Sequence, residues 1–411
     1  MNSPTGPADV RRRNLSLVLR HVAAFGPCAR TELAEATGLV HGSITALTAE
    51  LIGSGLVHEV GLASSGARGR PRRLLELAPG RVLTIAIQVT QAQLICAATD
   101  LGGAVLWREE RPHGAEFGDP RPIVRAITGI VHEVWDDVRC SGDHRRAHLA
   151  RVVIAVPGAV VEDEVVADSI LLGWRRVDLR TLVRAQDPAL TCPISVVNEA
   201  NMAAFAEYRA LVDRTGATPK VFAYLGAGVG IGGGLVVDGS VQTGGHGMAG
   251  EFGHVPVSFE GPPCKCGDRG CLVTYLGVRA LLVGAGMDPE SFDPDLEQGR
   301  IEFDRRLRGG DPAAVRALET GARALATALT AVSRVADPEQ VVLGGHLAAW
   351  SDWLVPNVLR HLAGRRAVTP TDEPVIGTDL LGEDATLHGA LRYGRETVLD
   401  DPTSVPPVAA A

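Results

Sequence analysis

The sequence predicts an α/β protein: a winged helix-turn-helix followed by a larger body of alternating strands and helices that carries a zinc-binding loop. Three observations predict it. Residues 11–79 read as short helices followed by a hairpin with an arginine-rich tip. From Arg81 onward, apolar strands alternate with amphipathic helices. His254, Cys264, Cys266 and Cys271 supply one imidazole and three thiols within a short, glycine-containing stretch. With 411 residues, 45% of them apolar, the chain can bury sizeable cores and hold two or three domains.

The first element is RRRNLSLVLRHVAAF, residues 11–25, which places Leu15, Leu17, Val18, Leu19, Val22 and Phe25 near helical spacing. Gly26-Pro27 stops it, Thr31 is expected to cap a second helix, and Gly38 ends that helix. HGSITALTAELIGSG then carries an apolar stripe of Ile44, Leu47, Leu51 and Ile52, completing a helix-turn-helix. Two strands follow around a tip bearing Arg68, Arg70, Arg72 and Arg73. In a module of this kind the second helix of the motif enters the major groove, so His41, Ser43 and Thr45 are the candidates for base or phosphate contact. The wing arginines can follow phosphates or enter a narrow minor groove. A plain helical subdomain and a solvated hairpin are the bland alternatives. Charge favours the polyanion: residues 1–80 carry nine arginines against six acidic residues, net +3, whereas the rest carries −11 of the total −8. This module spans 1–80.

The zinc-binding loop lies in GAGVGIGGGLVVDGSVQTGGHGMAGEFGHVPVSFEGPPCKCGDRGC, residues 226–271. Nine residues separate His254 from Cys264, one separates Cys264 from Cys266, and four separate Cys266 from Cys271. One imidazole and three thiolates suit a closed tetrahedral structural zinc, and Gly267 and Gly270 allow the tight turns of a metal knuckle. A Cys264–Cys266 disulfide would close a strained ring, and inert core cysteines are the remaining alternative. The glycine run contains a GxGxxG, but a strand and an Asp-Gly hairpin turn follow it where a dinucleotide site needs a helix. Close backbone packing is its expected role.

With Glu251 and His254 just upstream of the cysteines, this stretch resembles the signature of the ROK family, named for repressors, open reading frames and sugar kinases. The resemblance extends from about Arg11 to Gly394. It implies that residues 81–398 form a two-lobed ribonuclease-H-like (actin-like) ROK domain for effector binding and oligomerisation; the Pro/Ala-rich composition of 399–411 reads as a flexible tail. It implies a sugar site containing Asn198, Glu199, Glu251 and His254, with His254 bridging zinc and ligand through its two ring nitrogens. Several positions depart from the kinases of the family. The Asp-x-Gly-Gly-Thr phosphate loop falls on QVTQA at 88–92, so its aspartate is Gln88 and Thr90 and Gln91 replace its glycines. The catalytic aspartate is Glu199, whose extra methylene displaces a general base. An asparagine of the sugar site is Leu171, and a glutamate is Val273. VVLGGH, 341–346, stands at the adenosine-contact position. The recognition helix has His41, Gly42 and Ala46 where the family usually has a basic residue.

MNSPTGPADVRRRN is not followed by a signal-peptide hydrophobic region, and no apolar run approaches the roughly 20 residues of a membrane span. The expected protein is therefore a cytoplasmic, zinc-containing ROK transcription regulator, without kinase activity and with no membrane partner. It is expected to be a homodimer or homotetramer that binds a double-stranded DNA operator and responds to a sugar effector. An ATP-dependent sugar kinase with a DNA-binding domain, and a regulator whose cleft is vestigial, are the alternatives.

Overall fold

The computed structural model describes residues 6–63, 72–140, 144, 147–162, 164–292, 296–363 and 375–408. The first module comprises α1 (Pro7–Phe25), β1 (Cys28–Ala29), α2 (Arg30–Thr37), α3 (His41–Gly53), β2 (Val57–Ala63) and β3 (Arg72–Leu77). Leu15, Val18, Leu19 and Val22 form the buried stripe of α1, which begins at Pro7, earlier than the apolar periodicity, because proline fits the first helical turn. Thr31 does not cap α2. Ala29 occupies that position, and its N–H donates to the Glu32 carboxylate at 2.9 Å. Gly38 closes α2 at φ +69, a left-handed value natural to glycine. The strands pair in the order β1-β3-β2, giving the wing.

The body contains two five-stranded sheets of the same order. The first lobe runs β4 (Val82–Val89), β5 (Gln93–Asp100), β6 (Val105–Pro112), α4 (Arg121–Cys140), β7 (His148–Val156), β8 (Ala159–Val161), β9 (Val165–Ser169), β10 (Trp174–Asp178), α5 (Leu179–Gln186), β11 (Ile194–Asn198) and α6 (Glu199–Thr215). The second runs β12 (Val221–Ala227), β13 (Ile231–Val237), β14 (Ser240–Gln242), α7 (Val273–Leu276), α8 (Val278–Gly284), α9 (Glu297–Arg308), α10 (Pro312–Val335), β15 (Gln340–Gly345), α11 (His346–Ala349), α12 (Ser351–Leu362), β16 (Val375–Thr378) and α13 (Ala385–Asp400). One sheet is β6-β5-β4-β7-β11 and the other β14-β13-β12-β15-β16. In each, an antiparallel meander of three strands is extended by two parallel strands. This repetition is the two-lobed actin-like arrangement. The parallel strands are apolar along nearly their whole length, as strands covered on both faces must be. Helix α6 packs between the lobes, and α13, although it follows the last strand of the second lobe, packs on α6, β4 and β7.

Residues 399–408 differ from the flexible tail expected of them. Val405 is only 2% exposed and shares an apolar cluster with Leu15, Val18, Leu19 and Val22 of α1. The Arg81 guanidinium donates to Pro406 O at 2.7 Å, and Val408 N–H donates to Gly53 O at 3.1 Å. A Pro/Ala-rich composition reads as a tail, but Val405 over the apolar seam of α1 and the hydrogen bonds at Pro406 and Val408 dock it together.

Candidate functional site

The loop between β14 and α7 folds back on itself so that the four sulfur and nitrogen donors converge. Val257 N–H donates to Gly270 O and Gly270 N–H to Pro262 O, each at 2.8 Å, while Cys264 N–H donates to Asp268 O at 2.8 Å. Glycine is required at two points. A Cβ at Gly253 would lie 2.0 Å from Ile231 O, and one at Gly270, where φ is +69, would lie 1.9 Å from Ser258 O. The donor atoms of His254, Cys264, Cys266 and Cys271 all lie within 4.8 Å of one another. His254 Nδ1 is 3.6 Å from Cys264 Sγ, and the sulfurs of Cys266 and Cys271 are 3.7 Å apart. A tetrahedral ion with bonds of about 2.3 Å to sulfur and 2.0 Å to nitrogen needs edges of roughly 3.5–3.8 Å, so this shell fits a metal ion. Burial lowers the His254 pKa against the opposing charges of Asp168 and Asp268, favouring the neutral imidazole that ligates. With Nδ1 turned to the thiols, Nε2 is left for a second contact.

Two of the positions singled out in the sequence, Gln88 and Glu199, meet where the first turn of α6 reaches β4. Asn198 ends β11 and caps α6: its Oδ1 accepts from Asn201 N–H at 2.9 Å and its Nδ2 donates to Gly158 O at 2.8 Å. Only one amide hydrogen of Asn198 is left for a ligand. Glu199 begins α6, and Gln88 Nε2 donates to its Oε2 at 3.4 Å. Burial raises the Glu199 pKa to about 7; the Gln88 hydrogen bond opposes the rise and the Glu251 charge adds to it. Burial likewise raises Glu251, with Asp168 adding to the effect. The structure thus brings Glu199, Glu251 and His254 into one electrostatic neighbourhood and adds Asp168, which sequence reasoning missed. An exposed acidic residue in the hairpin strand VVADS carries no local signal of that role.

Several glycines of the 226–234 run and of VVLGGH are closely packed, whereas Gly228 and Gly230 have open space around them. A Cβ at Gly226 would lie 2.7 Å from the Tyr224 ring, and one at Gly344 only 2.1 Å from its hydroxyl. Cβ atoms at Gly232 and Gly234 would meet Ala200 and Ala204 of α6 at 3.0 and 2.5 Å. Tyr224 therefore lies over both glycine segments. Its hydroxyl is desolvated and faces the charges of Asp379, Glu207 and Glu199, all of which raise its pKa.

On the winged helix-turn-helix module, His41 and Thr45 are exposed on α3 and Ser43 is half-buried. Thr45 Oγ1 donates to His41 O at 2.9 Å. Arg73 is exposed but pairs with Glu59, which also receives Arg30 at 2.9 Å. Arg68 and Arg70 lie outside the described residues, and for Arg72 only the backbone is placed, opposite Ala63.

A sequence profile described as the ROK family matches residues 84–396. The chain belongs to the ROK family. It is 26% identical over 273 residues to a xylose repressor of Bacillus spizizenii, covering 66% of this chain and 68% of that protein. It is 37% identical over 248 residues to a kanosamine kinase of Amycolatopsis mediterranei, covering 59% and 76%. The crystal structure of a ROK family transcriptional regulator, homolog of the E. coli MLC protein, superposes with a TM-score of 0.78 at 22% identity, covering 95% of this chain and 97% of that one. That match spans the winged helix as well as both lobes and shows the fold.

Proposed function

We propose that this ROK protein is a sugar-responsive DNA-binding repressor that carries structural zinc and does not transfer phosphate. The observation that carries the reading is the joining of a winged helix-turn-helix to a ROK body whose two kinase carboxylate positions hold the Gln88–Glu199 pair. Without a carboxylate at position 88, the site lacks the magnesium ligand that a nucleoside triphosphate needs. The xylose repressor relative supports the same reading.

The zinc ligands are His254, Cys264, Cys266 and Cys271. The sugar contacts are Asn198, Glu199, Glu251 and His254, with Asp168 at the edge. DNA is held by His41, Ser43 and Thr45 of α3 and by Arg68, Arg70, Arg72 and Arg73 of the wing. A homodimer or homotetramer presents two winged helices to half-sites about one helical turn, or a multiple, apart. Among the described residues no helix is long and apolar enough to cross a membrane.

The similarity to a kanosamine kinase keeps a second reading in play, that of a sugar kinase with a DNA-binding domain. Leu171 and Val273, which remove two polar contacts from the family's sugar site, favour a third, in which the cleft is vestigial. Selection of DNA from a random pool by the full-length protein tests the DNA binding, and release of that DNA by sugar, read beside sugar-dependent ADP release, separates the three readings. A defined, two-fold-symmetric sequence supports the repressor, and recovery of no preferred sequence contradicts it.

A further inference from the structure

Helix α13 touches the cleft at one end and the DNA-binding module at the other. Near its start, Thr386 Oγ1 donates to the Glu199 carbonyl at 3.2 Å. Near its end, Glu396 and Asp400 each accept from the Arg20 guanidinium of α1, both at 2.6 Å. Between these contacts the helix has little freedom to move alone. A Cβ at Gly389 would lie 2.0 Å from Met202 O on α6, and one at Gly394 would lie 2.4 Å from Thr84 Cγ2 on β4. The helix backbone is therefore in near contact with both elements. Arg395 Nε donates to Leu101 O at 2.6 Å, and Arg392 pairs with Asp213 at 2.8 Å. Sixteen residues make a rod of roughly 24 Å.

The segment after the helix completes the joint. Val398, Leu399 and Val405 lie in the apolar cluster of α1, and the strap is tied at Pro406 and Val408. The module is thus seated on a face built by α13 and its continuation, in addition to its covalent connection at residues 78–81. Because α13 leaves the second lobe yet lies on the first, a change in the angle between lobes must carry the rod along or break its contacts.

We infer that α13 and residues 401–408 form the relay between cleft and DNA-binding module, with Arg20 as the positioning residue that fixes the module on the rod. The inference rests on the sugar-responsive reading above. A bound sugar biases the lobe angle by its differential affinity, α13 carries that displacement to α1, and the two winged helices change their spacing.

The test uses full-length protein, the DNA that wild type enriches from a random pool, and D-xylose, D-glucose and 2-amino-2-deoxy-D-glucose as probes. In Arg20→Gln, DNA affinity without sugar stays within about threefold of wild type, while a response that is tenfold in wild type falls below about twofold. Arg20→Lys retains most of the response, and hydrogen exchange in residues 7–25 speeds up in Arg20→Gln alone. Asp400→Asn, at a largely exposed position, gives a second reading of the same loss should Arg20→Gln bind DNA poorly. A wild-type response kept in full by Arg20→Gln and Asp400→Asn overturns the relay and leaves the repressor reading standing. A wild type that responds to none of the three sugars contradicts both.

Discussion

Gln88 Nε2 donates to Glu199 Oε2 at 3.4 Å, so the two positions at which the chain departs most sharply from the ROK kinases are bonded to each other. A pair of carboxylates at these positions would repel and invite a divalent cation, whereas here the Gln88 amide donates to the Glu199 carboxylate and its own Oε1 is left buried without a partner. The expected consequence is absence of phosphoryl transfer. With ATP, magnesium and the three probe sugars, a coupled assay should show no sugar-dependent ADP release above background. Turnover at even a slow kinase's rate, about 1 per second, contradicts this account.

The same pair gives the protein a pH-dependent stability. Glu199 has its pKa raised from 4.5 to about 7 in the folded state, so between those values the native protein binds more protons than the unfolded chain. Stability therefore falls as pH rises from about 4.5 to about 7, by up to about 3 kcal/mol for this group. Glu199→Gln removes the loss and is more stable than wild type above pH 7. Chemical denaturation at pH 5.5 and 8 checks it; an unchanged pH difference in the variant shows that another group is responsible.

Zinc should be bound at one ion per chain and be required for folding of the loop. Cys266→Ala is expected to lose the metal and melt at a markedly lower temperature, since structural zinc contributes on the order of 10 kcal/mol in small peptides. Elemental analysis of the purified protein reads the outcome directly. Stoichiometric zinc persisting in a Cys264/Cys266 double variant would show that the ligands are elsewhere.

The four-donor cluster was legible because it is local: residues 254–271 hold His254, Cys264, Cys266 and Cys271, and their spacing alone predicts a knuckle. The winged helix was legible for the same reason, from helical periodicity and a glycine at position 38 whose φ is +69. Contacts between residues distant in sequence were not. The charge of Asp168 bears on Glu251 and His254 only once β9 is placed by the three-stranded β8–β10 sheet, and nothing within VVADS foretells it. Arg20 meets Glu396 and Asp400 across more than 370 residues, and Val405 looked like part of a frayed end until α1 supplied an apolar surface. Thr31 was a sound capping candidate, displaced because the Glu32 carboxylate bonds the Ala29 N–H instead.

Glu59 holds back part of the wing's charge. It pairs with both Arg73 and Arg30, so Glu59→Gln should release a cation toward phosphate. Binding to non-specific duplex at low salt should strengthen severalfold, and the slope of log affinity against log salt should steepen by about 1. An unchanged slope, measured by fluorescence anisotropy, would mean that Arg73 does not face DNA.

The central claim is that a sugar held by Glu251 and His254 controls DNA binding, and an anisotropy titration of the selected DNA against wild type and Glu251→Gln, with and without sugar, tests it most directly. Equal affinity of the two proteins without sugar is expected, together with at least tenfold weaker wild-type binding when sugar is present, corresponding to about 1.4 kcal/mol of preference between lobe arrangements, and no weakening in the variant. If the Glu251→Gln protein binds the sugar as tightly as wild type by calorimetry and is still released from DNA, the effector acts outside this cleft and the claim fails.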